Sequence, residues 1–422
     1  MPRHANFRSI VLYSVISAAF IGPGTITTTL TAGSLHGLRL LWAVTLSIAG
    51  CLILQEISAR LVIGTGMSLA EAAGKAFGKS GKLLLTITGM AIILGCAAYE
   101  AGNILGAVSG LNLLTGINTR WLTAAVTAAA FLLLWLNRRS VIAGTMTALV
   151  ALMGLTFMWL ALQQPYSVTE VLYAATVPQF PQGSALLILG LVGTTIVPYN
   201  IFLGSGISRG RPLHEMRAGL AVSVLTGGFI TGAVLIAGTS VVAFASFPEL
   251  ANLLAQQVGY AGSLALGIGL FAAGFSSSVT APYAAVLVTA TLTGKEDKTL
   301  RWIWMGVLGA GFLFGISGIK PIPVILTVQA LNGFILPLLA ALLMVLVNHG
   351  KILPRELRPG LLYRIAMLAV FGCVTLVGLN QAEKTLITTG WLPGENLWIL
   401  VAVSAVLAAL LGYLMKRYAA LT

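Results

Sequence analysis

Charge is what this sequence lacks most. Only 8% of its 422 residues are Asp, Glu, Lys or Arg, against about 25% in a soluble domain. So few charges cannot cover a water-facing surface. A soluble fold around one oversized core is excluded as well, because single cores stop growing near about 250–300 residues. Cysteine is almost absent: Cys51, Cys96 and Cys373 each sit inside an apolar run without metal-ligand spacing, so they read as small packing residues. The four histidines, His4, His36, His214 and His349, lie near the ends of apolar runs and form no cluster. No Gly-x-x-x-x-Gly-Lys followed by Ser or Thr occurs, which argues against ATP-driven pumping by this chain. No nucleophile–base pair stands out, so neither an enzyme nor a cofactor is expected. The first apolar run lacks a small-residue cleavage site and reads as a full span rather than a signal peptide.

What is present is apolar sequence, 58% of the chain. A helix needs about 20 apolar residues to cross a bilayer, and twelve such runs lie near 9–35, 40–62, 83–110, 121–137, 141–162, 184–208, 218–246, 261–293, 302–319, 323–348, 362–381 and 396–415. The expected architecture is an all-α, polytopic membrane protein in which residues 1–422 form a single transport domain of 12 transmembrane helices. With the N-terminus inside, 20 of the 24 basic residues fall on cytoplasmic segments, and only Arg39, Arg120, Lys320 and Lys384 fall outside. Basic residues stay on the cytoplasmic side, so both termini are expected there. The formal net charge of +13 is then a topology signal and a contact with lipid headgroups, with no nucleic-acid partner implied. The outer segments 163–183 and 247–260 carry no Lys or Arg. They read either as caps over a vestibule or as plain connectors.

Proline stands at mid-depth in Gly22-Pro23-Gly24-Thr25 of the first run and in Val197-Pro198-Tyr199-Asn200 of the sixth. Proline removes a backbone donor and glycine loosens the chain. Non-helical backbone survives at that depth only where it lines a cavity or is buried in protein. The two breaks stand five spans apart, and an odd offset inverts the topology. This predicts two inverted five-helix repeats, over 9–162 and 184–348, followed by two more helices over 362–415. Interrupted segments at matching places in two halves point to a transporter's binding site.

Beyond these patterns the chain resembles the Nramp family of proton-coupled divalent-metal transporters. Gly22-Pro23-Gly24-Thr25 stands where that family has Asp-Pro-Gly-Asn, and Val197-Pro198-Tyr199-Asn200 where it has Met-Pro-His-Asn. Ala32-Gly33-Ser34 and Leu40-Leu41-Trp42 resemble its first hairpin, Gln55 and Ala59-Arg60-Leu61 its second span, Ser68-Leu69-Ala70-Glu71 the loop after it, and Gly274 with Ser276-Ser277-Ser278 its eighth span. The resemblance implies the 5+5 inverted-repeat fold typified by the amino-acid transporter LeuT. It also implies a secondary active transporter, with a small substrate, a coupling proton moved by symport, and a place in the bacterial inner (cytoplasmic) membrane.

The family's metal ligands do not all carry over. Gly22, Thr25 and Val197 replace its Asp, Asn and Met, so a carboxylate, an amide and a thioether are missing. Asn200 and Thr25 are the side chains left to hold a metal. Glu100 stands where the resemblance places the first acidic residue of a proton route, and Asn103 replaces the second. A carboxyl group inside the membrane is expensive and marks function by default. Glu56, four residues before Arg60 near the cytoplasmic end of its run, reads instead as a helix-face ion pair. Ser276–Ser278 read as close-packing residues. The expected substrate-binding residues are Gly22, Pro23, Gly24, Thr25, Val197, Pro198, Tyr199, Asn200 and Asn332.

Two cargoes remain open at this stage. The resemblance favours a divalent cation. The uncharged lining and the half-helix N-termini favour a small polar organic solute such as an amino or organic acid. An ion channel is the alternative of another class, although no ring of filter residues is evident.

Overall fold

A computed structural model describes residues 7–136, 138–242, 244–295, 300–388 and 396–420, with backbone alone at 7–11, 139, 323, 326–334, 381, 385 and 388. Arg3 and Lys298, counted above among the cytoplasmic charges, lie outside the described residues, as does the side chain of Asn332.

The first apolar run is two helices, α1 (Phe7–Phe20) and α2 (Pro23–His36). A 3-10 turn over Gly37–Leu40 leads into α3 (Leu41–Thr65). Then come α4 (Leu69–Thr115), α5 (Thr119–Leu136) and α6 (Arg139–Leu162). After a short α7 (Val168–Thr176), the sixth run is again divided, into α8 (Ala185–Thr195) and α9 (Pro198–Ser208). The chain continues through α10 (Leu213–Gly238), α11 (Phe247–Val258), α12 (Tyr260–Thr293) and α13 (Arg301–Ile316). It ends with α14 (Pro321–Asn348), α15 (Leu361–Thr388) and α16 (Leu397–Ala419).

Among the described residues nine helical segments are long and apolar enough to cross a membrane, and Arg301–Ile316 and Ile335–Asn348 are shorter apolar helices. The molecule is a multi-pass membrane protein. Residues 23–65 run through the 3-10 turn as one of those nine segments, so the twelve runs read from the sequence are not reproduced one for one.

Three stretches read as loops are helical. Ser68-Leu69-Ala70-Glu71 opens α4 with a capping box, Ser68 N–H donating to Glu71 Oε2 at 2.7 Å and Glu71 N–H to Ser68 Oγ at 3.2 Å. This carries helix well ahead of the run at 83–110, and Gly78 at φ 63° turns it into the span proper. The outer segments 163–183 and 247–260 contain α7 and α11. Ser167 caps the first, accepting from Glu170 N–H at 3.3 Å, and Ser246 caps the second, accepting from Glu249 N–H at 3.3 Å. In each case a serine satisfies an orphan N–H group and nucleates helix in polar sequence.

Small residues bring the central helices together. α4 and α12 approach backbone to backbone, so that a Cβ added at Gly274 would lie 2.2 Å from Ala107 N. α1 lies on α10 by seating Tyr13 against Gly219 and Phe20 against Gly227. Between lipid-bathed helices such close approach supplies the dispersion contact that the hydrophobic effect does not.

Candidate functional site

Both breaks are built the same way. The residue before each proline is extended, Gly22 at φ −97°, ψ 178° and Val197 at φ −99°, ψ 128°. Proline then starts the next half-helix, as Pro23 of α2 and Pro198 of α9. A following proline pushes its predecessor out of the helical region, while its own missing N–H costs nothing in the first turn. Pro282 and Pro337, by contrast, lie inside α12 and α14 without dividing them.

Ending α1 at Phe20 leaves its last carbonyls without helical partners, and hydroxyl groups from other elements serve them. Thr25 Oγ1 donates to Phe20 O at 2.6 Å and Tyr199 OH to Ala19 O at 2.7 Å. Ser276 Oγ and Ser277 Oγ of α12 both donate to Ala18 O at 3.3 Å. Thr25 Oγ1 also lies 3.4 Å from Thr194 O, near the end of α8, so one hydroxyl ties the two breaks together. The last carbonyls of α1 are therefore satisfied, as unwound backbone in a membrane must be.

The breaks face each other across one small cavity. Gly22, Gly24, Thr25, Val197 and Tyr199 line it, with Asn103 on a third side from α4. Pro23 does not; its ring packs where a Cβ on Gly106 would sit. Neither do Pro198 and Asn200. Asn200 is buried and turned toward α1, Nδ2 donating to Ile16 O at 3.5 Å, while its Oδ1 has no partner among the described residues. Asn332 belongs to α14, and its side chain lies outside the described residues.

The sequence reading missed part of the lining: Tyr99 and Gly102 of α4, Thr194 of α8, Ser277 of α12 and Ile325 of α14. Only Ser277 carried a signal, as one of three consecutive serines in an apolar run. The rings of Tyr99 and Tyr199 meet edge to face at 5.7 Å. Glu100 is fully buried one position behind this wall; Oε2 accepts from Asn103 Nδ2 at 3.3 Å and Oε1 has no partner among the described residues. Among the described residues no carboxylate and no thioether lines the cavity; the polar atoms there are hydroxyls, amides and main-chain carbonyls.

Away from the cavity, Glu56 of α3 gathers three helices. Its Oε1 accepts from Arg60 Nη2 at 2.6 Å and from Arg217 Nε of α10 at 2.9 Å, and its Oε2 from Tyr363 OH of α15 at 3.0 Å. The expected Glu56–Arg60 pair is present and is the centre of a larger network.

Paired broken helices around a buried polar chamber define a membrane transporter of the LeuT fold class. The backbone matches a manganese transporter of Eremococcus coleocola with TM-score 0.76 at 18% identity, over 99% of this chain and 96% of that one. It also matches a nucleobase-cation-symport-1 family transporter in a closed conformation, with TM-score 0.57 at 13% identity, over 97% and 93% of the two chains. The sequence then identifies the family. The profile described as natural resistance-associated macrophage protein-like, Nramp, matches residues 14–382, and the chain belongs to that family. Among its relatives, a divalent metal cation transporter MntH of Caldanaerobacter subterraneus is 26% identical over 80% of this chain and 84% of that protein. The MntH of Bacillus subtilis is 32% identical over 63% of this chain and 66% of that protein. Metal transporter Nramp4 of Arabidopsis thaliana is 28% identical over 68% and 60%.

Proposed function

We propose that this chain is a secondary active transporter of a divalent metal cation, working by alternating access around the crossing of its two broken helices. The observation that carries the reading is the convergence of both breaks on one polar cavity. Membership of the Nramp family and relatives named as divalent metal cation transporters support the cargo. In this reading the chain makes twelve crossings as one domain. The first repeat is 9–162, the second is 184–348 in the opposite sense, and 362–415 is appended. The uneven distribution of Lys and Arg supports cytoplasmic termini, with the protein in the cytoplasmic membrane in this reading.

The cation is held by neutral oxygens. Stripping all water from a divalent ion demands compensating charge, and the lining offers none. The cargo therefore keeps part of its hydration shell, which hydrogen-bonds to the carbonyls at the ends of α1 and α8 and to Thr25, Tyr199, Ser277 and Asn103. Thr25 contributes a hydroxyl lone pair directly. Asn200, with its unpartnered Oδ1, joins the ligand set when α1 and α9 move apart. Pro23 and Pro198 keep the breaks open. Glu100 exchanges the coupling proton and communicates with the cargo through Asn103, 3.3 Å away.

The uncharged lining also favours a second cargo, a small polar organic acid bound by the N–H groups at the start of α2 and α9. Flux into proteoliposomes separates the two. Saturable uptake of manganese or magnesium that responds to a pH gradient is expected, with amino and organic acids excluded. Organic-acid uptake without cation uptake would overturn the cargo assignment.

A further inference from the structure

A second polar feature lies far from the transport cavity. The connection from α14 to α15 and the end of α16 enclose an open cleft of about 990 Å³, lined by Arg355, Arg358 and Arg364 with Pro359, Gly360 and Ala419 among its walls. Among the described residues no carboxylate lines it and none of the three arginines is ion-paired.

The cleft is built rather than merely basic. Arg358 is fixed by three main-chain carbonyls: Nε donates to Leu353 O at 2.8 Å, Nη2 to Gly350 O at 2.8 Å and Nη1 to Ala419 O at 3.2 Å. It clamps the connection to the end of α16 and holds a positive charge in place. Arg364 Nε donates to Pro359 O at 2.9 Å, which orients its fork and leaves its terminal nitrogens for a ligand. Arg355 supplies the third guanidinium. Lys416 and Arg417 stand in the last turn of α16. Nearby, the imidazole of His349 is held below its usual value by burial first, and then by the charges of Lys351 and Arg358.

The depth of the cleft is marked by its neighbours. Leu361 and Leu362, immediately beyond Gly360, are 77% and 82% exposed and begin the apolar surface of α15. The cleft therefore lies at the level where acyl chains give way to headgroups. We propose that it is a binding site for a phosphate group, offered by an anionic phospholipid or by soluble phosphate. Planar guanidinium forks match phosphate oxygens two at a time, and the anion would hold α14, α15 and α16 together. This rests on the reading of the chain as a membrane protein but not on its cargo, so it is tested by binding rather than by flux.

The test is native mass spectrometry of the full chain in detergent. The probes are phosphatidylglycerol, phosphatidylcholine and inorganic phosphate. Arg358 is left intact because it braces the fold; the variant is Arg355→Gln with Arg364→Gln, checked for a single size-exclusion peak. The control is Lys79→Gln with Lys82→Gln, two exposed cations outside the cleft. Wild type and control should retain phosphatidylglycerol over phosphatidylcholine, and the cleft variant should lose that retention by roughly thirtyfold, at about 1 kcal/mol for each of the two cations removed. Displacement of the lipid by inorganic phosphate would show that soluble phosphate also occupies the cleft; retention against it would assign the lipid. Equal phosphatidylglycerol retention by the cleft variant, or an equal loss in the control, would overturn the proposal.

Discussion

A Cβ added at Gly22 would lie 3.1 Å from Ser277 Oγ and 3.7 Å from Asn103 Oδ1. The backbone there is extended and takes any residue without strain, so Gly22→Asp would project a carboxylate into the cavity at the cost of a small shift of the Ser277 hydroxyl. The expected result is tighter manganese binding by about tenfold, or roughly 1.4 kcal/mol, measured by calorimetry; unchanged heat would mean that the cavity does not hold the cation. Glu100→Gln should flatten the response of uptake to a pH gradient while leaving gradient-free exchange in place. Persisting coupling would make Glu100 structural. At this scale the sequence disclosed the breaks but not the rotation of the helices that follow them. Tyr199 and Asn200 are adjacent, yet about 100° of helical turn separates them, and only Tyr199 faces the cavity. The hydroxyls that serve the α1 carbonyls come from α2, α9 and α12, and no local pattern marks Thr194 as their neighbour.

Among the elements, Pro23, Pro198, Pro282 and Pro337 stand deep within apolar runs, and of these only Pro23 and Pro198 begin new helices. Their glycine-rich or paired contexts made these breaks legible, and the five-span offset made them meaningful. The serine–glutamate caps of α4, α7 and α11 were equally legible as Ser-x-x-Glu spacings, but the search for apolar length passed over them. Packing at the α4–α12 contact leads to a stability prediction. Gly274→Ala would press a methyl group on Ala107 N at 2.2 Å, and overpacking of this kind costs about 1–3 kcal/mol. Its thermal unfolding midpoint in detergent should fall. Gly95→Ala in α4 meets nothing within 4 Å and should leave the midpoint unchanged or raise it. Equal behaviour of the two variants would contradict the packing described. The Glu56 network predicts a similar contrast. Arg60 and Glu56 side chains are 8% and 12% exposed, and Arg217 is 50% exposed. Glu56→Gln, which strands a buried guanidinium, should cost about 3–5 kcal/mol. Arg217→Gln should cost under about 1 kcal/mol.

For the whole molecule, scarcity of charge placed the chain in a membrane, the two matching breaks predicted inverted repeats, and the family resemblance implied the LeuT-type architecture before any contact was known. What the sequence could not convey is closure: how tightly hydroxyls and aromatic rings from α1, α2, α4, α8, α9 and α12 surround a chamber whose described walls carry no formal charge. That chamber is the basis for treating the protein as a carrier rather than a pore, and counterflow tests the distinction directly. Proteoliposomes loaded with unlabelled manganese and diluted into a trace of labelled manganese should accumulate label transiently above equilibrium, because a carrier exchanges cargo one for one across its alternating chamber. Simple equilibration without an overshoot, or an overshoot obtained with an organic acid but not with manganese, would contradict the account.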